Sequence, residues 1–427
     1  MNLGNDRSPH GGLSSRLIKT LCCLLIGFFA SVSNAQEQLT STDATHCFVK
    51  GFSERMECGY IQVPENYEQP DGQQIDIHYA IIPSIQENAQ PDPLLILAGG
   101  PGQAATELAP MIARIFADVR KQRDIVLIDQ RGTGKSNPLS CEVNRPDELV
   151  RSDDEQDLSE LAAECLAQYP NVDVSQYNTR NTIRDFEQVR QALGIEQWNL
   201  YGGSYGSRVG LKYLQHASNS VRTATLDAVA PPQVVIGPFG FNGSLAFEKM
   251  LQDCQQQKPC MQRFPNLKQD YDQVMQSLDQ QSVLVDTQDP LSAEPMQIRL
   301  TPGRFSSVVR LALYNPATRQ LLPYAISEAR AANYKPILGL MGGTTTAVQN
   351  SIYLGLMLSV VCREDLPRAT ESLLKQDANN EFIGGKTGQA FVDLCQGWQT
   401  TPAPSSFAQP VESEKPVLLL SGTQDPV

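Results

Sequence analysis

The chain has 427 residues, of which 41% are hydrophobic and 19% are charged, so it can bury a large core in one domain with an insertion or in two to three smaller domains. Its formal net charge of −13 at pH 7 argues against nucleic acid as a partner. Composition leaves the oligomeric state open.

The first 35 residues have the pattern of a secretory signal peptide. Arg7, Arg16 and Lys19 precede an apolar run at 21–30, and residues 33–35 form a small-residue cleavage site. The run is too short for a stable membrane anchor, and no later stretch is apolar enough to cross a membrane. The sequence predicts export to the periplasm or the extracellular space. Because the segment carries a net charge of +2, its removal leaves −15.

Eight cysteines remain after this segment, and an even number in an exported protein predicts disulfides. Pairing in sequence order is the simplest arrangement because each bridge then closes a local loop, although other pairings stay open. The cysteines lack C-x-x-C spacing and nearby histidines, so we expect no metal site and no cofactor. The eight are Cys47, Cys58, Cys141, Cys165, Cys254, Cys260, Cys362 and Cys395.

The first predicted elements are two alternating stretches, 58–63 and 74–82, separated by a turn-rich loop. This pattern indicates an antiparallel pair of strands. We interpret His78 as a strand residue, and we expect His46 to precede the sheet.

Continuous apolar runs then begin at Pro93 and Asp124, with helical sequence at 108–120 between them. Buried strands that alternate with helices indicate a parallel sheet. Residues 136–151 are polar and predict a loop. A helix is predicted from an N-cap at Thr182, and a further strand at 222–229.

The sequence Gly202-Gly-Ser-Tyr-Gly206 matches G-x-S-x-G, with strand-like sequence before it and the apolar spacing of a helix after it. This context holds a serine hydroxyl on a sharp turn above the sheet and directs the first helical N–H groups at a developing oxyanion. We therefore predict Ser204 as the nucleophile; the alternative is a chance match in a glycine-rich loop. Tyr205 supplies one oxyanion N–H. We choose Gly100 for the other because Pro101 has no N–H.

Beyond Pro232 the chain becomes rich in glutamine and helical in pattern, which predicts an insertion before a last buried strand at 415–425. The predicted organisation is a signal peptide at 1–35, the first part of the core at 36–232, a helical cap insertion at 233–409 and the second part of the core at 410–427.

Three motifs, Gly99–Gly102, Asp129–Ser136 and Gly202–Gly206, give the chain its resemblance to a known family. Over roughly residues 44 to 427 the sequence resembles the α/β-hydrolase aminopeptidases, which include proline iminopeptidases and tripeptidyl aminopeptidases. The resemblance implies an α/β-hydrolase fold, with a mostly parallel sheet, helices on both faces and an inserted helical cap. Its exported, cysteine-bearing character is closer to the tripeptidyl branch. Ala98 stands where proline iminopeptidases usually have histidine.

We interpret 131–136 as a structural turn beside the active site. The triad acid follows a late strand in this fold, so we predict Asp425, with Asp227 as the alternative. The resemblance also implies that cap carboxylates bind the substrate's α-ammonium group. Glu364 and Asp365 are the candidates, and a solvated helix end is the alternative for them.

These features together predict an exported serine exopeptidase that removes one or three residues from peptides with free N-termini through an acyl-enzyme. The alternatives are a carboxylic-ester hydrolase and a non-catalytic binding protein on a hydrolase scaffold.

A serine triad also needs an imidazole, and none of His10, His46, His78 and His216 follows Asp425. His216 lies on the helix that leads away from Ser204, roughly 18 Å from it at 1.5 Å per residue. We therefore expect a truncated sequence, in which the C-terminal part of the core is missing and the catalytic histidine lies beyond residue 427. We expect the 427-residue form to be essentially inactive and poorly stable.

Overall fold

The computed structural model describes residues 45–141, 148–152, 155–288, 293–349, 351–380, 382 and 386–426. The predicted signal peptide and His10 lie outside these residues.

The strands are β1 Thr45–Cys47, β2 Met56–Pro64, β3 Gln74–Ile82, β4 Leu94–Leu97, β5 Ile125–Ile128, β6 Trp198–Gly203, β7 Val221–Asp227, β8 Val283–Gln288, β9 Pro295–Leu300 and β10 Val417–Leu420. The α-helices are α1 Ala109–Ile115, α2 Ala117–Arg120, α3 Leu158–Leu166, α4 Thr179–Ala192, α5 Tyr205–His216, α6 Gly240–Gln256, α7 Lys258–Arg263, α8 Leu267–Gln280, α9 Pro302–Ala312, α10 Pro316–Arg330, α11 Lys335–Gln349, α12 Leu354–Val360, α13 Glu371–Ala378 and α14 Lys386–Gly397.

Eight strands form the main sheet in the order β1-β2-β3-β5-β4-β6-β7-β10. The pairs from β5 to β10 are parallel, and the pairs among β1, β2, β3 and β5 are antiparallel. Leu95 and Leu97 enter one hydrophobic core, whereas Leu94 and Ile96 enter another. Because successive side chains of a strand point to opposite faces, both faces of the sheet are covered at β4. The prediction of a last buried strand at 415–425 was wrong in its burial, because β10 is the edge strand and all four of its residues are exposed. The predicted antiparallel pair and the predicted parallel sheet are confirmed.

Helix α4 begins one turn earlier than the sequence pattern indicated. Asn178 is the N-cap, and its side-chain oxygen accepts a hydrogen bond from the Asn181 N–H at 3.0 Å. The Thr182 N–H donates to the Asn178 carbonyl at 3.0 Å, so Thr182 already lies inside the helix. The prediction of Thr182 as the N-cap was wrong because Asn178 satisfies the first free N–H groups.

Two further expectations need correction. His46 lies within β1, opposite Glu57 of β2, and so does not precede the sheet. The insertion is not helical throughout, because β8 and β9 pair as an antiparallel hairpin. The predicted loop at 136–151 contains a short 3₁₀ turn at Glu148–Val150, and its residues 142–147 lie outside the described part.

The insertion has a hydrophobic core of its own, built around the aromatic rings of Phe247, Tyr271, Phe305 and Phe382. Helix α12 instead packs into the core of the main sheet, together with other residues from the end of the insertion. The predicted boundaries of the insertion at 233 and 409 stay predictions.

Within the described ranges, no helix combines the length and the apolar character that crossing a membrane requires.

The eight cysteines form four disulfides in sequence order, as the simplest arrangement predicted. The bridges are Cys47–Cys58, Cys141–Cys165, Cys254–Cys260 and Cys362–Cys395, with Cα–Cα distances between 5.0 and 5.9 Å. These distances lie in the usual range for disulfides.

The bridges differ in the length of chain that they close, and this sets their expected contributions to stability. Chain entropy gives about 4 kcal/mol for Cys362–Cys395, which joins residues 33 apart, and about 2 kcal/mol for Cys254–Cys260, which joins residues 6 apart. Replacing the first pair by alanines should therefore lower the urea midpoint more than replacing the second. Equal losses in chemical denaturation would contradict this account.

Candidate active site

Ser204 occupies the sharp turn between β6 and α5. Its backbone has φ of +54° and ψ of −127°, which is a strained conformation for a residue with a side chain. Its N–H donates to the Asp227 carbonyl of the neighbouring strand at 2.9 Å, and its side chain is exposed. The turn thus presents the hydroxyl above the carboxyl edge of the sheet.

The glycines beside Ser204 allow a very close approach of backbone segments. A Cβ atom on Gly206 would lie 2.0 Å from the Leu97 carbonyl oxygen, and one on Gly202 would lie 2.2 Å from the Gly206 carbonyl oxygen. Neither position can hold a side chain without moving the backbone. Helix α5 can therefore lie directly against β4 and β6 because both positions are glycine.

The loop after β4 passes beside the serine. A Cβ atom on Gly99 would lie 3.5 Å from the Cβ atom of Ser204, and Gly100 has φ of +106° before a cis peptide bond to Pro101. Tyr205 is the first residue of α5, where the backbone N–H groups have no helical partner. The structure thus places Gly99, which precedes Gly100, and Tyr205 beside Ser204, and the roles of Gly100 and Tyr205 as oxyanion donors stay predictions.

The Asp129–Ser136 motif forms the expected turn. The Asp129 carboxylate accepts hydrogen bonds from the Thr106 N–H at 2.9 Å and from His78 Nδ1 at 2.9 Å. The side-chain amide of Gln130 donates to the Ala98 carbonyl at 3.2 Å. The motif therefore holds both ends of the loop that carries Gly99 and Gly100, and it explains His78 as a buried structural residue.

Arg131 of the same motif forms a fully buried ion pair with Asp185 of α4. The guanidinium donates to both carboxylate oxygens at 2.6 and 2.7 Å, and the Tyr67 hydroxyl donates to the same carboxylate at 2.8 Å. Its remaining N–H groups reach backbone carbonyls, among them that of Glu65 at 2.6 Å. Such complete pairing is what makes a buried charge tolerable.

The two candidate acids lie on adjacent strands. Asp227 ends β7, and its carboxylate accepts a hydrogen bond from the Tyr201 hydroxyl at 2.8 Å. Asp425 follows β10, where Leu420 is in register with Asp227. Partial burial raises the pKa of the Tyr314 phenol, and the nearby charge of Asp425 raises it further. Asp227 thus lies at the carboxyl end of its strand and Asp425 lies beyond the end of the neighbouring strand, and the assignment of the triad acid to Asp425 stays a prediction.

The loop that carries Asp425 also contacts the insertion. The side-chain amide of Gln424 donates to Asp253 of α6 at 3.0 Å. Asp253 forms ion pairs with Lys249 at 3.1 Å and with Arg319 of α10 at 2.9 Å. The insertion therefore supports the loop of the candidate acid.

Glu364 and Asp365, the candidates for binding a substrate ammonium group, are buried and have internal partners. Glu364 accepts hydrogen bonds from the N–H of Thr179 at 2.8 Å and from its hydroxyl at 2.6 Å. Asp365 accepts from Arg208 at 2.8 and 2.9 Å and from the Ile236 N–H at 2.9 Å. Neither carboxylate presents a free face to a ligand in this structure. Their contact with an ammonium group stays a prediction that this burial disfavours.

The side chain of Tyr205 points away from the oxyanion side and into the core. It is fully buried, and its hydroxyl is 2.7 Å from the Thr179 hydroxyl, which in turn donates to Glu364. Burial raises the pKa of the Tyr205 phenol well above its usual value, so the phenol stays protonated and can donate. No pattern in the sequence identifies Thr179 or Arg208 as a partner of the site.

The described histidines lie on elements that serve other purposes. His46 is in β1, His78 contacts Asp129, and His216 is the last residue of α5. Among the described residues, no hydrogen bond joins the Ser204 hydroxyl to an imidazole.

The close contact at Gly206 makes a direct test of the turn. Gly206→Ala should destabilise the fold by several kcal/mol, on the order of the loss for overpacking a rigid core or more, because the added Cβ meets backbone rather than a movable side chain. The matched control is Gly339→Ala on α11, where an added Cβ meets no atom within 4 Å. This control should be neutral or stabilising by up to about 1 kcal/mol. Urea denaturation of both variants measures the difference. Similar stabilities would show that the backbone at Gly206 can move to accommodate a side chain.

The burial of Glu364 predicts that the stability of the protein depends on pH. Desolvation raises its folded-state pKa to about 7 from 4.5, although the two bonds from Thr179 oppose this. Between these values the folded protein binds a proton that the unfolded chain does not. The contribution of Glu364 protonation to the free energy of unfolding is therefore fully present below pH 4.5, falls as the pH rises, and is lost above about 7.

Glu364→Gln cannot titrate, so its melting temperature should fall less than that of the parent between pH 4.5 and 7.5. The neighbouring charges of Asp365, Arg208 and Lys212 are retained in this variant. Glu371→Gln, at an exposed position on α13, is the matched control and should follow the parent. A constant difference between parent and Glu364→Gln at every pH would contradict the assignment.

Two family models match the chain. The alpha/beta hydrolase fold model matches residues 92–263, which contain both glycine motifs and Ser204, and the TAP-like protein model matches residues 380–427.

Curated relatives include peptidases. Serine protease Hip1 of Mycobacterium tuberculosis is 24% identical over 404 residues, covering 86% of this chain and 76% of that protein. The tripeptidyl aminopeptidase of Streptomyces lividans is 30% identical over 195 residues, covering 42% of this chain and 36% of that protein. A probable proline iminopeptidase of Streptomyces coelicolor is 34% identical over 143 residues, covering 34% of each chain.

The strand order, the strained serine turn and these matches agree with one another. The chain has the α/β-hydrolase fold, and its similarity to these relatives supports an α/β-hydrolase peptidase family.

Proposed function

We propose that the protein is an exported serine exopeptidase that removes residues from the N-termini of peptides. The observation that carries the proposal is the exposed Ser204 on its strained turn, between the Gly99–Gly102 loop and the first N–H groups of α5. The match of residues 380–427 to the TAP-like model favours release of three residues over release of one, as does Ala98 at the position expected for histidine.

The chemistry follows from this arrangement. The Ser204 oxygen attacks the scissile carbonyl carbon while a base takes its proton, and the carbonyl oxygen gains negative charge. The N–H groups of Tyr205 and Gly100 stabilise that charge. The base then protonates the departing amine, an acyl-enzyme forms, and water releases the acyl group by the same steps in reverse.

Asp425 is the proposed acid that orients the imidazole base. Its position beyond the strand next to β7 matches the chain order Ser, Asp, His of this fold. Because the described histidines lie elsewhere, the proposal includes a base from outside the described residues.

Export is part of the proposal and is supported by the four disulfides, because such bridges persist in oxidising compartments. The second candidate is a non-catalytic binding protein on the same scaffold. This second candidate is favoured by one observation: among the described residues, the Ser204 hydroxyl has no hydrogen bond to an imidazole.

Ser204→Ala decides between these two functions. Compared with the parent, this variant should lose at least about 10³-fold in turnover and all labelling by a fluorophosphonate, with unchanged melting temperature. The parent should cleave tripeptidyl amides with free N-termini far faster than the N-acetylated amides. A parent that never labels would support the binding protein, and one that prefers simple esters would support an ester hydrolase. Full turnover by Ser204→Ala would end the proposal.

A further inference from the structure

One segment within the insertion, residues 352–365, contacts both the Gly99–Gln103 loop and the buried side chain of Tyr205's partner Thr179. We call it the return segment. It comprises Ile352, Tyr353, helix α12 and the π-helical turn Val361–Asp365. Its first residues reach the Gly99–Gln103 loop, and its last residues reach α4 and α5.

At its first end, the return segment lies against the loop of Gly100. The Tyr353 N–H donates to the Gly102 carbonyl at 2.8 Å, and Ile352 forms a β-bridge with Gln103. The Tyr353 hydroxyl donates to Glu107 at 2.8 Å, just beyond that loop. A Cβ atom on Gly102 would lie 2.8 Å from the Tyr353 carbonyl oxygen, so the two backbones are in direct contact.

At its other end, the return segment reaches the residue that follows the nucleophile. The Thr179 hydroxyl donates to Glu364, so it must accept its other hydrogen bond from the Tyr205 hydroxyl. This gives a directed chain from Tyr205 through Thr179 to Glu364, with all three side chains buried. Asp365 adds a second link, because it pairs with Arg208 one turn further along α5.

The middle of the return segment is rigidly packed. Leu356, Leu358 and Val360 are fully buried in the core of the main sheet, and the Gly355 N–H donates to the Leu139 carbonyl at 2.9 Å. A displacement at one end would therefore disturb the contacts at the other. The two N–H donors of an oxyanion hole need a fixed mutual distance to stabilise charge.

We propose that Glu364 is a positioning residue for the oxyanion hole, acting through Thr179 and Tyr205. In this proposal the return segment keeps Tyr205 at a fixed distance from the loop that carries Gly100. This inference rests on the proposed function, but it assigns Glu364 a role different from binding an ammonium group.

Amide hydrogen exchange tests the positioning role without requiring turnover. The Ser204 N–H bonds to the Asp227 carbonyl and the Ser207 N–H bonds to the Ser204 carbonyl, both at 2.9 Å, so these two amides report on the turn. Glu364→Ala should raise their exchange rates about tenfold or more, because a hydrogen bond to a buried carboxylate is lost. Glu364→Gln keeps an acceptor and should restore most of the protection. Glu371→Ala is the matched control and should change nothing.

Two results of this experiment would overturn the proposal. One is unchanged protection of the Ser204 and Ser207 amides in Glu364→Ala. The other is an equal rise at the distant β2–β3 amides, which would indicate general loss of stability. Thr179→Val breaks the same chain at its middle, so its effect should not add to that of Glu364→Ala. Additive effects would show that the two residues act separately.

Kinetics then separate the possible roles. A positioning role lowers kcat about equally for free tripeptidyl amides and for esters, with KM little changed. A rise of KM confined to substrates with free N-termini would instead assign Glu364 to the ammonium group and overturn the positioning role. If the parent shows no turnover, the proposed function fails, while the exchange measurement still decides whether the return segment holds the turn.

Discussion

A backbone contact that leaves no room for a side chain determines where Ser204 lies. At Gly206, α5 approaches the Leu97 carbonyl so closely that the first turn of the helix rests on the end of β4. Because β4 also leads into the Gly99–Gly102 loop, the same contact places the nucleophile beside that loop. The left-handed conformation of Ser204 follows from joining β6 to a helix in this position, and the hydrogen bond to Asp227 holds it there.

Two ion pairs that involve α4 and α5 are fully buried. Arg131 pairs with Asp185, and Arg208 pairs with Asp365, with all four side chains inaccessible to water. Removing one member of such a pair is far more costly than the pair's net contribution to stability, because an unpaired charge is left in the core. These pairs therefore select one arrangement of α4, α5 and the insertion, since a shifted arrangement would leave a charge without its partner.

Much of the fold could be predicted from the sequence, because its signals are local. The serine turn, the buried strands β4 and β5 and the cysteine order each depend on residues close together in the chain, and the structure bears them out. The start of α4 was misplaced because Asn178 and Thr182 are both good N-cap residues, and only the three-dimensional context chooses between them.

The partners of Glu364 and Asp365 could not be predicted in the same way. Thr179 and Glu364 lie 185 positions apart, and Arg208 and Asp365 lie 157 apart. From the sequence, the two acids resembled an exposed pair near a helix end, which is the usual place for neighbouring carboxylates. Their burial depends on how α12 packs into the main core, and the periodicity of the sequence does not predict that packing.

The two hydrophobic cores bear on how this protein could be recombined with its relatives. The change from helical insertion to main core, judged by sequence character, comes near residue 409, but α12 already packs into the main core, before Phe382 returns to the core of the insertion. A chimera that took its whole insertion from another hydrolase would replace the segment that touches Gly102 and Thr179. One that exchanged only the residues before Ile352, and kept the crossing through Asp365, would leave the surroundings of Ser204 those of the original protein. The natural unit of exchange in this fold is thus smaller than the inserted sequence.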